Sequence, residues 1–270
     1  MEDTLRKLQL TQLEILKIID AFCRKHEIQY SLYAGSLLGA VRHQGFIPWD
    51  DDLDICMKRS EYERFIESWM KDHPERYLLQ NKETEPSFTQ SFTKIRKDHT
   101  TFLQDESERG KYHTGIFVDV FPIDRIPEGK LKQRIFYLDC LLYQLHTREF
   151  VPPLAGKITQ FITSVLLKTS STESRIKRRK RHFERIIRYN SDQSLPMIAI
   201  ETTRTLKQSQ PSDMMDSFVE LQFEDMKCMC MKDWDIYLTR KFDDYMQLPP
   251  EDERNWAHHP VILDFEKNLK

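Results

Sequence analysis

The chain has 270 residues, of which 39% are hydrophobic and 31% are charged, and its formal net charge is -2 at pH 7. This is the composition of a soluble globular protein, and the near balance of charge gives no general attraction to nucleic acid or to a membrane. Five cysteines without a CxxC pair indicate no zinc site, and we expect a reduced, cytoplasmic protein.

The first half of the chain alternates helical and strand patterns. Residues 1–10 carry charges and lack the apolar core of a signal peptide, and a stripe of apolar residues predicts an amphipathic helix over 3–27. Two more helices are predicted at 37–42 and 60–71, the second with Ser60 as its N-cap. Strands are predicted at 28–34, 52–57, 77–80, 91–96 and 116–121, and Pro122 is expected to end the last one.

Helical periodicity dominates after about residue 127. Helices are predicted at 131–147, 158–168, 175–189 and 234–246, and the Met-rich stretch 226–231 is interpreted as filling a core. We therefore predict an α+β fold with a mixed catalytic core over residues 1–126. A mostly helical region over residues 127–270 would pack on this core, because no Gly/Ser-rich linker separates them.

Four aspartates fall within the five positions 50–54. Alternate residues of a strand share a face, so Asp50, Asp52 and Asp54 are predicted to point one way, and Asp51 and Leu53 the other. Clustered carboxylates repel one another unless a cation neutralises them, and hard oxygen ligands favour Mg²⁺ or Mn²⁺. An EF-hand calcium loop is disfavoured because its obligatory glycine position holds Ile55. A solvated acidic turn remains the plainer alternative.

Two further elements complete the pattern. Gly35 and Ser36 follow a predicted strand and open a helix, where free backbone N–H groups and a hydroxyl suit a phosphate. Asp119 interrupts the apolar run 115–122, and a carboxylate there is costly unless it is paired or binds metal. Gly-Ser, then Asp-x-Asp on one strand, then Asp on a later strand is the order found in the nucleotidyltransferase superfamily. The mixed sheet is therefore expected to be nucleotidyltransferase-like.

Four segments carry a resemblance to a known family: 33–43, 45–55, 113–124 and 244–254. At these residues the chain resembles the LicD family of phosphocholine transferases, and more distantly the fukutin-type ribitol-phosphate transferases. The likeness covers roughly residues 8–125 and 234–259. Where family members often have Tyr-Gly before Asp244, this chain has Phe242 and Asp243, so the glycine turn is absent.

The resemblance implies a CDP-linked alcohol donor such as CDP-choline, and transfer of its phospho-alcohol to a hydroxyl. The acceptor would be a cell-surface glycan of lipopolysaccharide or capsule, or a teichoic-acid precursor, possibly one linked to a lipid carrier, and CMP would leave. Two alternatives remain: a nucleotidyltransferase that moves NMP from an NTP, and a non-catalytic nucleotide- or glycan-binding protein. Residues 127–270 would then form the acceptor side.

Site roles follow from the type of each residue. Asp52, Asp54 and Asp119 are the predicted catalytic residues and metal ligands, with Asp50 as a further ligand; Asp119 would complete the metal shell or accept the acceptor's proton. The predicted substrate-binding residues are polar or backbone groups near these carboxylates. They are Gly35, Ser36, Arg42, Lys94, Arg96 and His113, and Trp49 either stacks on a base or headgroup or packs beside Phe46.

The strongly basic segment 175–188 follows the apolar stretch 161–167. A helix here could lie against anionic lipid or hold an acidic acceptor, which predicts a cytoplasmic protein peripheral to the inner face of the cell membrane. A solvated helix face is the alternative. Nucleic acid is not an expected partner, because the basic run is short and the whole chain is not basic.

Overall fold

A computed structural model of the protein describes residues 2–88, 90–148, 151, 156–200 and 209–269. The chain forms two compact units, one of residues 1–123 and 213–270 and the other of residues 124–212. The first boundary lies close to the predicted one at residue 126. Residues 213–270, which we placed in the helical region, group instead with the N-terminal residues.

The first unit contains four of the α-helices that the structure describes. They are α1 (Glu2–Lys25), α2 (Ala34–His43), α3 (Arg59–Asp72) and α7 (Trp234–Phe242). Helix α1 forms because its apolar residues recur at helical spacing, and Leu8, Ile15 and Ile19 are fully buried. The predicted N-cap of α3 is wrong: the helix begins at Arg59, and Lys58 occupies the N-cap position without a side-chain cap.

A mixed sheet forms the centre of the first unit. Five of its strands, in spatial order, are β1 (Ser31–Leu32), β2 (Asp54–Lys58), β6 (Phe117–Arg125), β4 (Thr93–Lys97) and β3 (Tyr77–Gln80). Strands β2 and β6 are parallel, and the other neighbours are antiparallel. The sheet and helices together confirm the α+β class.

Pro122 does not end β6, contrary to the prediction. On one side Pro122 is the register partner of Met57 in β2, whereas on the other side the pairing with β4 stops at Val120. A proline has no N–H to donate, and it is tolerated in a strand where no neighbouring strand needs that donor. The strand therefore runs on to Arg125.

Strands that were not predicted come from the C-terminal part of the first unit. Strand β11 (Ile262–Asp264) pairs with β5 (Thr101–Leu103), and β9 (Phe218–Phe223) forms a hairpin with β10 (Met226–Met231). The Met-rich segment is thus a strand, and Met231 is buried in agreement with a core-filling role. The Met231 N–H donates to Ser31 Oγ at 2.9 Å, which joins the hairpin to β1.

The second unit is mostly helical. It contains α4 (Lys130–Thr147), α5 (Lys157–Thr169), α6 (Thr172–Ile187) and the strand pair β7 (Met197–Ile200) and β8 (Gln210–Pro211). Its core is small, with five buried members: Ile126, Phe136, Cys140, Tyr143 and Ile186. Among the helices that the structure describes, none is long and apolar enough to cross a membrane.

Candidate active site

Two of the predicted carboxylates lie on one face of the sheet. Asp54 of β2 is the register partner of Asp119 in the parallel strand β6, so the two side chains project from the same face. The Asp119 N–H donates to the Leu53 carbonyl at 2.9 Å and fixes this register. Strand β2 begins at Asp54 rather than at the predicted residue 52, so residues 50–53 lie in the loop before it. Burial alternates along this stretch even so, because Asp50, Asp52 and Asp54 are partly exposed whereas Asp51 and Leu53 are buried.

Helix α1 holds the loop before β2 through two buried glutamines. Gln9 Nε2 donates to the Asp50 carbonyl and Gln12 Nε2 to the Asp51 carbonyl, each at 2.9 Å. Gly35 lies against the same loop, because a Cβ at this position would come within 2.6 Å of Asp50 Oδ2. The glycine thus makes room for the Asp50 carboxylate, a role that the sequence analysis did not predict.

Ser36 lies at the beginning of α2 and is almost fully buried. Its Oγ accepts the N–H of Asp54 at 2.9 Å, so the hydroxyl ties the start of α2 to the start of β2. An accepting hydroxyl keeps its own proton for donation. The predicted phosphate contact of Ser36 stays a prediction and is compatible with this bond.

His258 is a site residue that the sequence analysis missed. Its Nδ1 lies 3.0 Å from Asp51 Oδ1 and 3.8 Å from Asp52 Oδ2, and the N–H groups of Ala257 and His258 donate to the Asp51 carboxylate at 3.2 and 2.9 Å. Burial alone would raise the pKa of Asp51, but the bonds from His258 and Ala257 outweigh it and lower that pKa. The bond to Asp51 raises the pKa of His258.

The carboxylates of the face are not fully compensated by the protein. Burial raises the pKa of Asp50, Asp52 and Asp54, and repulsion from neighbouring carboxylates adds to it. Asp50, Asp51 and Asp52 each offer an oxygen within 4.8 Å of the others. Since the Asp51 carboxylate is already bonded to residues 257 and 258, the Asp50 and Asp52 oxygens are the better donors. Hard oxygen donors with unrelieved negative charge suit Mg²⁺ or Mn²⁺, so the residues fit the expected cation.

Lys94 and Asp119 form a buried ion pair. Lys94 Nζ lies 2.6 and 2.9 Å from the two Asp119 oxygens and 3.3 Å from the centre of the Phe117 ring. Burial lowers the pKa of Lys94 despite the nearby carboxylate. The sequence alone would also allow Lys94 and Arg96 to lie on the exposed face of an edge strand, but β4 lies between β6 and β3. The alternative to metal that the sequence offers for Asp119 is a bridge to an arginine, and the partner present is Lys94 instead.

Arg96 and His113 both form hydrogen bonds with Gly115, just before β6. Arg96 is buried, and its Nε donates to Gln80 Oε1 at 2.6 Å and its Nη1 to the Gly115 carbonyl at 2.5 Å. Burial lowers the pKa of Arg96 to about 10. His113 Nδ1 accepts the Gly115 N–H at 3.1 Å, and its Nε2 lies 3.3 Å from Asp98. These contacts support a role in positioning the start of β6, and the predicted substrate contacts remain untested.

The remaining predicted residues lie along the C-terminal segment. Arg42 Nη1 donates to the carbonyls of Tyr245 and Gln247 at 2.8 and 3.2 Å. The Arg254 guanidinium lies 5.2 Å from the centre of the Trp49 ring, so Trp49 packs against a cation; the Phe46 ring packs against Phe223. Arg42 therefore anchors the chain that follows α7, and its substrate role stays a prediction.

The loop after α7 keeps a turn that usually requires glycine. Asp243 has φ 54° and ψ -117°, a left-handed conformation that side chains with a Cβ rarely adopt. Its N–H donates to the Thr239 carbonyl at 2.9 Å. The replacement of the expected glycine therefore leaves a positive-φ turn at this position, with backbone strain in place of glycine's freedom.

The sequence is similar to those of known proteins. The family model described as "LicD/FKTN/FKRP, nucleotidyltransferase domain" matches residues 27–153. The lipopolysaccharide cholinephosphotransferase LicD of Haemophilus influenzae is 30% identical over 271 residues, which cover 95% of this chain and 96% of that protein. The chain belongs to the LicD family. The matched domain contains every predicted site residue from Gly35 to Asp119, whereas His258 lies outside it.

Two further relatives of this LicD-family chain are uncharacterized proteins. One, from Rickettsia prowazekii, is 28% identical over 146 residues, covering 53% of this chain and 48% of that protein. The other, from Rickettsia typhi, is 49% identical over 49 residues, covering 18% and 16%. These matches add no function.

Proposed function

We propose that this LicD-family protein is a metal-dependent phosphotransferase that moves phosphocholine, or a similar phospho-alcohol, from a CDP-linked donor to a glycan hydroxyl. The observation that carries the proposal is the carboxylate face of Asp50, Asp52, Asp54 and Asp119, whose charge the protein leaves partly unrelieved. The named relative is a lipopolysaccharide cholinephosphotransferase, which supports choline as the alcohol and a surface glycan as the acceptor.

In the proposed reaction an acceptor hydroxyl oxygen attacks the phosphorus that carries the alcohol. The bond between this phosphorus and the oxygen bridging to the cytidine phosphate breaks, and the electron pair leaves with CMP. The acceptor proton passes to a base. Such a transfer needs positioning and charge neutralisation more than covalent chemistry from the protein.

The carboxylates divide these roles among themselves. Asp50, Asp52 and Asp54, with or without Asp119, would hold Mg²⁺ or Mn²⁺, which would neutralise the charge on the diphosphate. Asp119 is also the candidate base, because its carboxylate shares the face with Asp54 and is held by Lys94. Asp51 has a positioning role, since together with His258 it fixes the loop that presents Asp50 and Asp52.

Product analysis tests the proposal and its rivals in one assay. The full chain is incubated with Mg²⁺, a de-cholinated lipopolysaccharide or a teichoic-acid precursor, and in turn CDP-choline, CDP-ribitol, CDP-glycerol or an NTP. Release of CMP together with a modified glycan is expected with CDP-choline, and chelation of the metal should stop it. Pyrophosphate release from an NTP would replace the proposal with nucleotidyl transfer, and binding without turnover would leave a recognition protein.

A further inference from the structure

Helix α5 of the second unit turns its apolar face to solvent. Ile158, Phe161, Ile162 and Val165 follow the spacing i, i+3, i+4 and i+7, so they form one stripe, and Ile158 and Phe161 are 78% and 70% exposed. The side chain that α5 buries completely is Thr163, whose Oγ accepts from Arg148 Nη1 at 2.8 Å. This is the reverse of an ordinary surface helix.

Helix α4 repeats this pattern beside the small core of the unit. One face packs Phe136, Cys140 and Tyr143 into that core, as expected. The other face exposes large apolar side chains at helical spacing, and Leu131 is 72% exposed. The further exposed members on α4 are Ile135, Tyr137, Leu138 and Leu141. Contiguous exposed apolar surface of this kind marks a contact site rather than chance.

Helix α6 adds positive charge to the same unit. Between Thr172 and Ile187 the sequence has seven Lys or Arg residues against two Glu. Lys177, Arg178, Lys180 and Arg181 are exposed. The helix begins at a capped N-terminus, because Ser171 Oγ accepts the Ser174 N–H, and its Ile186 is buried. The basic face is therefore held on an ordered helix.

We propose that the second unit docks on an anionic membrane surface, with the apolar side chains of α5 and α4 among the acyl chains and the basic side chains of α6 on the lipid phosphates. Exposed Ile, Phe and Leu together with a cluster of Lys and Arg are the two signals that bind a protein to an anionic interface without spanning it. A second copy of the chain would bring one basic helix toward another, so charge complementarity favours lipid over self-association.

Vesicle sedimentation tests this inference without any measurement of turnover, so its outcome is independent of the proposed reaction. The full chain is mixed at low salt with vesicles of phosphatidylcholine alone or of phosphatidylcholine and phosphatidylglycerol in equal amounts. Binding is expected for the anionic vesicles only. It should weaken as the salt concentration rises, because salt screens the attraction between the basic side chains and the lipid phosphates.

Two variants separate the apolar and the basic contributions. Ile158→Ser with Phe161→Ser, and Arg178→Gln with Arg181→Gln, should each lower the partition coefficient by on the order of tenfold or more. All four positions are exposed, so circular dichroism should report an unchanged fold. The matched controls are Met70→Ser and the pair Lys111→Gln with Lys227→Gln, which change exposed residues of the first unit and should leave partitioning unchanged.

Several outcomes would overturn the inference. They are an absence of binding to anionic vesicles at low salt, equal binding to both vesicle types, or equal losses in the control variants. A concentration-dependent dimer in lipid-free solution that Ile158→Ser with Phe161→Ser abolishes would reassign the apolar face to self-association. If a variant fails to fold, the salt dependence of the parent chain still decides between lipid docking and a solvated helix.

Discussion

The carboxylate face of the first unit and the helical surface of the second unit both break the usual rule that charged side chains are exposed and apolar ones are buried, but they break it in opposite ways. At the former, Asp119 is buried, and burial together with repulsion between neighbouring carboxylates raises the pKa of the partly exposed Asp50, Asp52 and Asp54. At the latter, Ile158 and other large apolar side chains lie in water. Each arrangement costs free energy in the isolated chain. Each departure fits the proposal made for its region, a cation and a diphosphate at the carboxylates and lipid at the exposed helices.

The largest expected effect tests the carboxylate side of this comparison. Asp52→Asn or Asp54→Asn keeps the shape of the side chain and removes its charge, so turnover should fall at least about a thousandfold. CMP release from CDP-choline measures it, and circular dichroism should report an intact fold. The matched control is Asp225→Asn in the exposed β9–β10 turn, where the carboxylate pairs with Lys17. Near-normal turnover of either site variant would defeat the assignment.

The next largest effect is expected on the stability of the fold, when the buried ammonium group of Lys94 is removed. Lys94→Met leaves the Asp119 charge buried without its partner, and unfolding should become easier by about 3–5 kcal/mol in urea. Combining Lys94→Met with Asp119→Asn should recover much of this loss. Lys97→Met is the control, because its ion pair with Glu14 at 2.6 Å is solvent-accessible and should contribute under about 1 kcal/mol. Equal effects of the two lysine variants would mean that the buried pair is not special.

An intermediate effect is expected at His258, which no reacting group needs to touch. His258→Ala should lower turnover or Mg²⁺ affinity by roughly 10–100-fold, because Asp51 loses the partner that orients the loop of Asp50 and Asp52. His259→Ala, at the exposed neighbour, should have no effect. His258→Asn should restore part of the activity, since its amide can donate to Asp51. A loss shared equally by residues 258 and 259 would indicate a general disturbance of the C-terminal segment.

The smallest effect gives the baseline of an ordinary ion pair in the first unit. The Glu224 carboxylate accepts from Arg6 Nη2 at 2.5 Å and from the Phe46 N–H at 3.1 Å, and the bond to Arg6 lowers its pKa. Glu224→Gln should destabilise the protein by about 1 kcal/mol at neutral pH. Because the folded pKa lies below the unfolded value, the stabilisation exists above the unfolded pKa and disappears as the pH falls through the folded one. The difference between the two proteins in urea unfolding should therefore begin to shrink as the pH falls below the unfolded pKa of a glutamate, about 4.3, and should vanish below the folded one.

The comparison also explains which elements the sequence predicted. The helices α1, α3 and α4 and the strand β3 were predicted to within a few residues, because apolar periodicity and burial coincide there. The β9–β10 hairpin was missed although 218–223 alternates, because its turn residues are Glu224 and Asp225 rather than Asn or Gly. Glu224 adopts φ 55° instead. The inverted face of α5 was also hidden, since a periodic stripe does not say whether it is buried or exposed.

Some residues of the candidate site could be predicted from the sequence and others could not. That Asp52 and Asp54 share a side follows from alternation along one segment, which is a local rule. The position of Asp119 beside Asp54 depends on the parallel pairing of β2 with β6, which the sequence analysis did not predict. His258 follows from neither, because it lies 207 residues from Asp51 and a single histidine has no periodic signal. Likewise the bonds from Arg96 to Gln80 and Gly115 depend on the sheet order, which composition does not contain.

The pairing of Asp51 with His258 also has a consequence for folding during synthesis on the ribosome. The first unit needs residues 213–270 as well as 1–123, so the early half of the nascent chain emerges long before the partners of its acidic loop are translated. Closing so long a stretch of chain slows folding. A nascent chain shorter than 258 residues would therefore hold its acidic loop through Gln9 and Gln12 of α1 alone, and the bonds to the Asp51 carboxylate would form only after residues 257 and 258 emerge.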